Sequence, residues 1–198
     1  MEKQLDIPNF AILYSMNMED VCDFYEQESQ KHSIDCRNWS KDFPYHPVTI
    51  FTIAHSTQYI YVDFFVRGNY LRAMNYTNNS PVSDDSCVEF FLQIPGNKEY
   101  WNFEFNCIGT INASHREKRE NPSRLTDEQI SLIKVFPSCG TRPFEEMEGL
   151  FAWNLTIAIP FSLIGIDNNK LPEYILGNFY KCGSKTGLPH YLSWSPIE

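Results

Sequence analysis

Alternation of apolar and polar residues from Val48 onward constrains this chain's fold more than any other feature. In FAWNLTIAIP, for example, Phe151, Trp153 and Leu155 alternate with smaller or polar residues. Because successive side chains of a β-strand point to opposite faces of the sheet, the pattern predicts strands with one buried face. Short turn-rich stretches separate these segments, which favours antiparallel pairing.

The predicted strands are numerous and little helix accompanies them. A polar turn joins the first two, and PGNKE joins CVEFFLQI to YWNFEFNCIGT as a second hairpin. This organisation predicts an all-β fold, an antiparallel β-sandwich of the jelly-roll or immunoglobulin-like kind. The strands read from the sequence are VTIFTIAHS, YIYVDFFVRG, YLRAMNYT, CVEFFLQI, YWNFEFNCIGT, SLIKVF, FAWNLTIAIP and YILGNFYKCG.

The N-terminal part of the chain differs from this strand-rich body. We expect residues 1–42 to form an extension packed on a sandwich of residues 43–198. Within the extension, Phe10–Tyr14 reads as a short strand. MEDVCDFYEQESQ reads as a short helix, because its apolar residues fall at helical spacing and acidic residues suit its first turn.

Charge and composition exclude several classes of partner. The formal net charge of −9 argues against a nucleic-acid or anionic membrane partner. No stretch approaches the roughly 18 apolar residues of a membrane helix, so we expect no membrane insertion. The N-terminus does not read as a signal peptide. We therefore expect a cytoplasmic protein, or a periplasmic or extracellular one whose signal has been removed, of unknown oligomeric state.

The six cysteines form no CxxC pair, and we expect them to be reduced and structural. Short zinc-ligand spacings are also missing, so we predict no metal site. The acidic stretches SDDS and EEMEG supply oxygens that leave a structural calcium ion open, without the residue order of an EF-hand. We otherwise expect no cofactor.

A single carboxylate in the middle of a strand raises the question of function. In DDSCVEFFLQ, Glu89 shares a strand face with Phe91, and burying an unpaired charge there is costly. Either this face is solvated, or Glu89 accepts hydrogen bonds from a ligand. On the next strand, Asn102, Glu104 and Asn106 also share one face. Planar amides and carboxylates form paired hydrogen bonds with vicinal hydroxyls, which is what a sugar offers.

The C-terminal segment GNFYKCGSKTGLPHYLSWSPIE supplies further candidates. Asn178 lies on a predicted strand, and His190, Tyr191 and Trp194 lie on or just after a loop rich in glycine. Aromatic side chains at such a place stack on the apolar face of a pyranose. The alternative is that Tyr191 and Trp194 fill one end of the sandwich.

Sequence motifs of common enzymes are missing. GxSxG, HExxH, the P-loop and GxGxxG do not occur. Glu89 and Glu104 could form a glycosidase pair. A glycan-acting hydrolase, or an accessory subunit of one, therefore remains an alternative to simple binding.

Four segments taken in order carry a resemblance to a known family. They are HPVTIFTIAHSTQYIYVDFFVRGNYLRAM, SPVSDDSCVEFFLQ, YWNFEFNCIGT and GNFYKCGSKTGLPHYLSWSPI. Together, from about Phe43 to Ile197, they resemble the family 9 carbohydrate-binding modules and, more closely, related DOMON-like proteins of gut Bacteroides. The resemblance implies a β-sandwich that binds sugar without catalysis, at the reducing end of a glycan in the better-known modules.

The resemblance also implies roles for particular residues. In the family the ligand lies between two tryptophans, beside a glutamate of a D-x-x-x-E pattern. Here that pattern runs from Asp85 to Glu89, so Glu89 becomes the hydrogen-bond acceptor. Trp194 matches the C-terminal stacking residue, with Tyr191 and His190 beside it. From the residues themselves rather than from the family, we expect the polar ring around the sugar to be Arg72, Glu104, Asn106 and Asn178, with Arg72 placed by topology to neutralise part of the Glu89 charge.

One departure from the family pattern and one wider relationship shape the alternatives. Ser83 stands where the first stacking tryptophan is expected, which implies a one-sided platform or an interaction domain whose sugar site has decayed. The wider DOMON group includes modules that hold haem through Met and His. Nothing in the spacing of Met74 and the histidines singles out such a pair, so we expect no haem.

Overall fold

Two antiparallel sheets stack face to face in the computed structural model, which describes residues 3–28 and 30–197. Helix α1 (Met18–Glu28) comes before the strands named next, and the short helix α2 (Asp127–Ile130) lies between the seventh and eighth of them. The strands are β1 (His32–Ser33), β2 (Val48–His55), β3 (Tyr59–Ala73), β4 (Cys87–Gln93), β5 (Tyr100–Asn106), β6 (Ile111–Arg116), β7 (Ser123–Arg124), β8 (Lys134–Pro137), β9 (Phe144–Pro160), β10 (Leu176–Gly183) and β11 (His190–Ser193).

The hydrophobic core lies between the sheets. The first sheet has the order β1-β2-β3-β9-β8 and the second β11-β10-β4-β5-β6-β7. Aromatic rings join them, since Phe51 of β2 stacks on Phe179 of β10 at a centroid distance of 3.7 Å, and Phe179 stacks on Phe90 of β4 at 4.7 Å. These residues are almost fully buried, as the alternation predicts.

The structure confirms the antiparallel β-sandwich and its short N-terminal helix. Two predicted strands, YIYVDFFVRG and YLRAMNYT, are parts of the single strand β3. The strand predicted at Phe10–Tyr14 is wrong, because Ala11–Ser15 forms a 3₁₀-helix. Leu13 is the buried residue of this segment. A single helical turn can bury one such side chain as well as a strand can.

The outer faces of the two sheets have different surroundings. Helix α1 and Leu13 cover the first sheet, where Val21 and Tyr25 pack on Tyr61. Among the described residues, no helix has both the length and the apolarity to cross a membrane. Much of the outer face of the second sheet carries polar and aromatic side chains instead, and the candidate residues of the sequence lead there.

Candidate functional site

A row of side chains crosses the middle of the outer face of the second sheet. Tyr180 of β10, Glu89 of β4, Glu104 of β5 and Asn112 of β6 lie directly opposite one another on neighbouring strands. Strand alternation puts them all on the side away from the core. Glu89 and Glu104 are therefore adjacent on one face, as the sequence predicts.

Glu89 is buried without the usual partners of a carboxylate. Only 7% of the residue is exposed. In the described part of the chain, no N–H or O–H group donates a hydrogen bond to it, and the weakly donating thiol of Cys182 lies beside it. Burial and the charge of Glu104 raise the pKa of Glu89 to about 8. Near neutral pH its carboxyl group can thus both donate and accept a hydrogen bond.

Glu104, by contrast, is held on both sides. Its Oε1 accepts a hydrogen bond from Asn102 Nδ2 at 2.7 Å, and its Oε2 accepts one from Asn112 Nδ2 at 2.8 Å. This clamp fixes the carboxylate beside Glu89. It also fixes the Asn102 amide so that its Oδ1 is buried without a hydrogen-bond partner in the described structure.

Arg116, at the end of β6, contributes a second unused group. Its Nη2 donates to Ser114 Oγ at 2.5 Å and its Nη1 to the carbonyl of Arg119 at 3.1 Å. Its Nε is buried without a hydrogen-bond partner among the described residues. The charge of Arg116 is close enough to Glu89 to lower the pKa of that carboxyl, which burial and Glu104 raise. An unused donor and an unused acceptor therefore lie on the same face of the sheet as Glu89.

Aromatic side chains border this polar strip on two sides. Toward β11, the ring of Tyr191 packs edge-on against Phe43 at 4.7 Å and against Trp39 at 6.3 Å. Trp39 is 43% exposed. On β4, the ring of Phe91 contacts those of Tyr180 at 4.8 Å and Tyr100 at 6.1 Å. Rings at both borders can provide flat apolar surface to a ligand over the strip.

The position of Trp39 depends on backbone pairing, at the β11 edge of the second sheet, between two segments that are far apart in sequence. Cys36 and Ser193 exchange backbone hydrogen bonds of 2.9 and 3.1 Å, so the segment before Trp39 runs antiparallel to β11. Asn38 adds a bond from its Nδ2 to Ser193 Oγ at 2.9 Å, and its Oδ1 accepts one from the amide of Ile197 at 3.1 Å. These contacts bring part of the N-terminal segment to the second sheet.

Asp85, the first residue of the D-x-x-x-E pattern, has a structural environment. It is fully buried, and its oxygens accept hydrogen bonds of 2.9 to 3.1 Å from the amides of Met74 and Asn75 and the side chains of Asn75 and Asn106. Arg72 Nε lies 3.3 Å from Asp85 Oδ1. The expected pairing of Arg72 with Glu89 is therefore wrong, because Asp85 takes the guanidinium.

Asn106 and Asn178 also lie on the outer face, yet their amides are occupied. Asn106 is fully buried and binds Asp85 and the carbonyl of Asn75, while its Oδ1 accepts from the amide of Thr110. Asn178 Oδ1 accepts from the amides of Phe179 and Ser195. Both side chains therefore hold the backbone around the strip.

His190 and Trp194 lie on the opposite side of the sheet from Glu89. In β11 and the residue after it, His190 and Trp194 face the core and Tyr191 faces outward. His190 Nε2 is 2.9 Å from Lys181 Nζ, and Trp194 meets Phe51 edge-on at 5.9 Å. A platform of His190 and Trp194 beside Glu89 is therefore not formed, and of the expected trio only Tyr191 lies on this face.

Sequence reasoning missed Arg116, Trp39 and Phe43. The alternation of Asn112, Ser114 and Arg116 in INASHR could have revealed the first, because it marks a strand face. No local pattern could have revealed the other two, since their place depends on the pairing of Cys36 with Ser193.

Comparison with known proteins gives a family and a close structural likeness. The sequence model of Carbohydrate-binding family 9 matches residues 19–198. Among solved structures, the chain is similar to a protein from Bacteroides uniformis provisionally described as carbohydrate-binding. The two are 33% identical with a TM-score of 0.89, over 98% of this chain and 89% of that chain.

Two more distant structures are family 9 modules from Caldicellulosiruptor kristjanssonii, one in complex with glucose and the other with cellotriose. They are 14% and 12% identical to this chain, with TM-scores of 0.49 and 0.48. The matches cover 88% and 90% of this chain and 76% of each module. No curated protein matches the chain.

Proposed function

Because this chain belongs to carbohydrate-binding family 9, a family of carbohydrate-binding modules, we propose that it binds the end of a mono- or oligosaccharide without hydrolysing it. The proposed site is the outer face of the second sheet around Glu89. Within it, the Glu89 carboxyl exchanges hydrogen bonds with sugar hydroxyls, and the clamped Glu104 fixes the polar strip in place.

The unused hydrogen-bonding groups beside Glu89 carry this proposal. Buried polar groups in proteins are nearly always paired, so two that are not, on the same face as Glu89, call for a partner. Asn102 Oδ1 is an acceptor and Arg116 Nε a donor. A hydroxyl group can accept from one and donate to the other. Neighbouring hydroxyls of a sugar ring suit such a set.

Trp39, Phe43 and Tyr191 are the aromatic platform in this proposal. Val82, beside the family's missing tryptophan at Ser83, packs on Cys87 and Cys182 in a cluster that Tyr191 borders. The N-terminal segment thus supplies aromatic surface at the edge where Ser83 supplies none. This argues against a decayed site, because an exposed tryptophan and unpaired polar groups lie on the same face.

Hydrolysis receives less support from this geometry. A glycosidase needs its two carboxyl groups on either side of the scissile bond. Glu89 and Glu104 lie directly opposite each other on adjacent strands, where Cβ atoms are about 4.5–5.5 Å apart. This spacing is compatible with a retaining pair, so it is the occupation of Glu104 that argues against catalysis. Both oxygens of Glu104 are already bound by amides. The pair is better suited to holding a ligand than to flanking one.

Isothermal titration calorimetry with a panel of mono- and oligosaccharides, each also in its reduced-end form, tests the proposal. We expect binding that Glu89→Gln and Trp39→Ala each weaken about tenfold or more, in line with about 1–3 kcal/mol for a lost aromatic contact. Tyr14→Ala is the matched control, because Tyr14 is 47% exposed but packs on Tyr59 of the covered first sheet.

Each result has a defined meaning. Binding that survives reduction of the sugar end would contradict end recognition, and wild-type affinity in both variants would contradict the proposed face. No heat with any sugar, from a folded protein, would contradict sugar binding at this site. Release of reducing sugar from an oligosaccharide by the wild type, lost in Glu89→Gln, would support the hydrolase instead.

A further inference from the structure

The side chain of Asn102 lies where the polar strip meets apolar rings. Its direct neighbour on β4 is Phe91, and its direct neighbour on β6 is Ser114. Tyr100 precedes it by two residues on β5 and therefore lies on the same face. The ring centroids of Phe91 and Tyr100 are 6.1 Å apart. Both rings are only half-buried, so they leave apolar surface open to a ligand beside the Asn102 amide.

A free acceptor and a free donor lie on neighbouring strands at this point. Asn102 Nδ2 donates to Glu104 Oε1 at 2.7 Å, so the amide cannot exchange its oxygen and nitrogen without losing that bond. Asn102 is 4% exposed, and among the described residues its Oδ1 has no hydrogen-bond partner. Arg116 Nη2 donates to Ser114 Oγ at 2.5 Å, which holds the guanidinium at the residue directly opposite Asn102. The unpartnered Nε belongs to this guanidinium.

An N-acetylamino group of a ligand matches this combination of groups. A trans amide points its N–H and its C=O in opposite directions, so one amide between two side chains can donate to one and accept from the other. Its methyl group is apolar, and burying it against the rings of Phe91 and Tyr100 is favourable. A hydroxyl group can serve both polar atoms, but it brings no apolar group to the rings.

From this geometry we propose that the sugar held at Glu89 is a 2-acetamido sugar such as N-acetylglucosamine, an inference that rests on the proposed function above. The amide N–H donates to Asn102 Oδ1, and the amide carbonyl accepts from Arg116 Nε. The methyl group packs on the rings of Phe91 and Tyr100. Glu89 and Asn102 are diagonal neighbours on β4 and β5, with Cα atoms about 7–8 Å apart. One sugar ring with its acetamido group spans this distance, so Glu89 binds hydroxyls of the same unit.

Isothermal titration calorimetry with matched sugars tests the inference: glucose, glucosamine and N-acetylglucosamine, galactose and N-acetylgalactosamine, and cellobiose and N,N′-diacetylchitobiose. We expect the N-acetylated sugar to bind at least about tenfold more tightly than its parent sugar or free amine, because two hydrogen bonds are added. In Arg116→Met the ratio of the two affinities should fall to about one. Arg67→Met is the matched control and should keep the ratio, because it makes the same change at an exposed position of the first sheet. Saturation-transfer NMR with N-acetylglucosamine should show the acetyl methyl as the most strongly saturated group.

The possible results separate this inference from the proposed function. Equal affinities for parent and N-acetylated sugars, or binding of other sugars only, would overturn the N-acetyl assignment and leave sugar binding in place. A preference that Arg116→Met leaves intact would also overturn it, because the amide contacts would then lie elsewhere. No binding by any sugar, from a folded protein, would contradict the proposed function and this inference with it. If Arg116→Met fails to fold, the wild-type ratio and the methyl signal still decide.

Discussion

Asp85 and Glu89 are buried carboxylates close together in sequence, yet their surroundings are opposite. Asp85 is fully buried and accepts hydrogen bonds from backbone and side-chain amides, with Arg72 beside it. Glu89 is almost as buried, and a thiol and a second carboxylate lie beside it in place of amide donors. Because an unpaired buried charge is costly, only the first arrangement is explained by folding alone.

This difference separates Asp85, the residue of the D-x-x-x-E pattern that holds the fold, from Glu89, the residue proposed to bind sugar. Asp85 ties the loop from Met74 to the start of β4, and through Asn106 it ties that loop to β5. Glu89 lies on β4, the strand that these hydrogen bonds position. The comparison predicts that removing the two carboxylates changes stability in opposite directions.

The largest effect is expected for Asp85→Ala. The change removes the acceptor of the Met74 and Asn75 amides and one of the two acceptors of Asn106 Nδ2. It also leaves Arg72 without its counter-charge. Breaking a buried ion pair on one side costs about 3–5 kcal/mol. Urea denaturation should therefore give a markedly lower free energy of unfolding. Glu145→Ala, at an exposed position, is the control and should stay within about 0.5 kcal/mol of wild type. A similarly small change for Asp85→Ala would contradict the claim that its hydrogen bonds hold the loop before β4 in place.

Glu89→Gln should instead raise stability while weakening sugar binding. The pKa of Glu89 rises to about 8 on folding, so the folded state holds a proton that the unfolded state releases from about pH 4.5. Wild-type stability therefore falls as pH rises from about 4.5 through 8. Glutamine avoids this loss, and the variant should be more stable by on the order of 2–4 kcal/mol above pH 8. Denaturation curves between pH 4 and pH 9 measure the difference, and a constant gap across this range would contradict the assignment.

Strand alternation alone predicted most of the fold and the sheet face on which Glu89 lies. Alternation is local, so it survives in the sequence without knowledge of pairing. The same rule, applied within HYLS, would have separated Tyr191 from His190, because neighbouring residues of a strand point to opposite faces. The prediction grouped them by chemical type instead, and the structure puts His190 in the core.

Other parts of the site were beyond any local pattern. The partner of Arg72 depends on how the loop from Met74 to Asp85 folds back, and an arginine beside two possible carboxylates does not reveal which it binds. Trp39 reaches the second sheet only because Cys36 pairs with Ser193. Such contacts between distant segments are determined by the packed structure as a whole.

A third buried carboxylate, Asp63 on the first sheet, provides an intermediate case. It is 6% exposed and accepts one strong hydrogen bond, from Thr156 Oγ1 at 2.6 Å. Burial raises its pKa to about 7. Stability should therefore fall as pH rises from about 4 through 7, and Asp63→Asn should remove that fall, with a gain on the order of 1–3 kcal/mol above pH 7. Thermal melts across this range measure it.

Sugar affinity separates Asp63 from Glu89. Asp63 lies beneath α1 on the opposite sheet, close to Cys22. Asp63→Asn should therefore leave sugar affinity unchanged, whereas Glu89→Gln should lower it. If both variants gained stability and neither lost affinity, Glu89 would be a second buried carboxylate of the same kind, without a role in binding.

The smallest effect is expected at Asp84, the neighbour of Asp85. The partners of Asp84 reach solvent. Lys185 Nζ lies 2.8 Å from Asp84 Oδ2, and the lysine side chain is 66% exposed. Partial burial raises the pKa of Asp84, but hydrogen bonds from Lys185 and Ser184 oppose it, and the net pKa is lowered. The stability that the ionised Asp84 contributes is therefore present above about pH 4 and is lost as the pH falls through the lowered pKa. Exposed pairs contribute about 0–1 kcal/mol, so Lys185→Met should cost less than about 1 kcal/mol, and the loss should shrink in high salt. Denaturation at low and high ionic strength measures this. A loss as large as that of Asp85→Ala would mean that the loop before β4 depends on its surface charges as much as on the buried hydrogen bonds of Asp85. The difference between these neighbouring carboxylates would then not follow from burial.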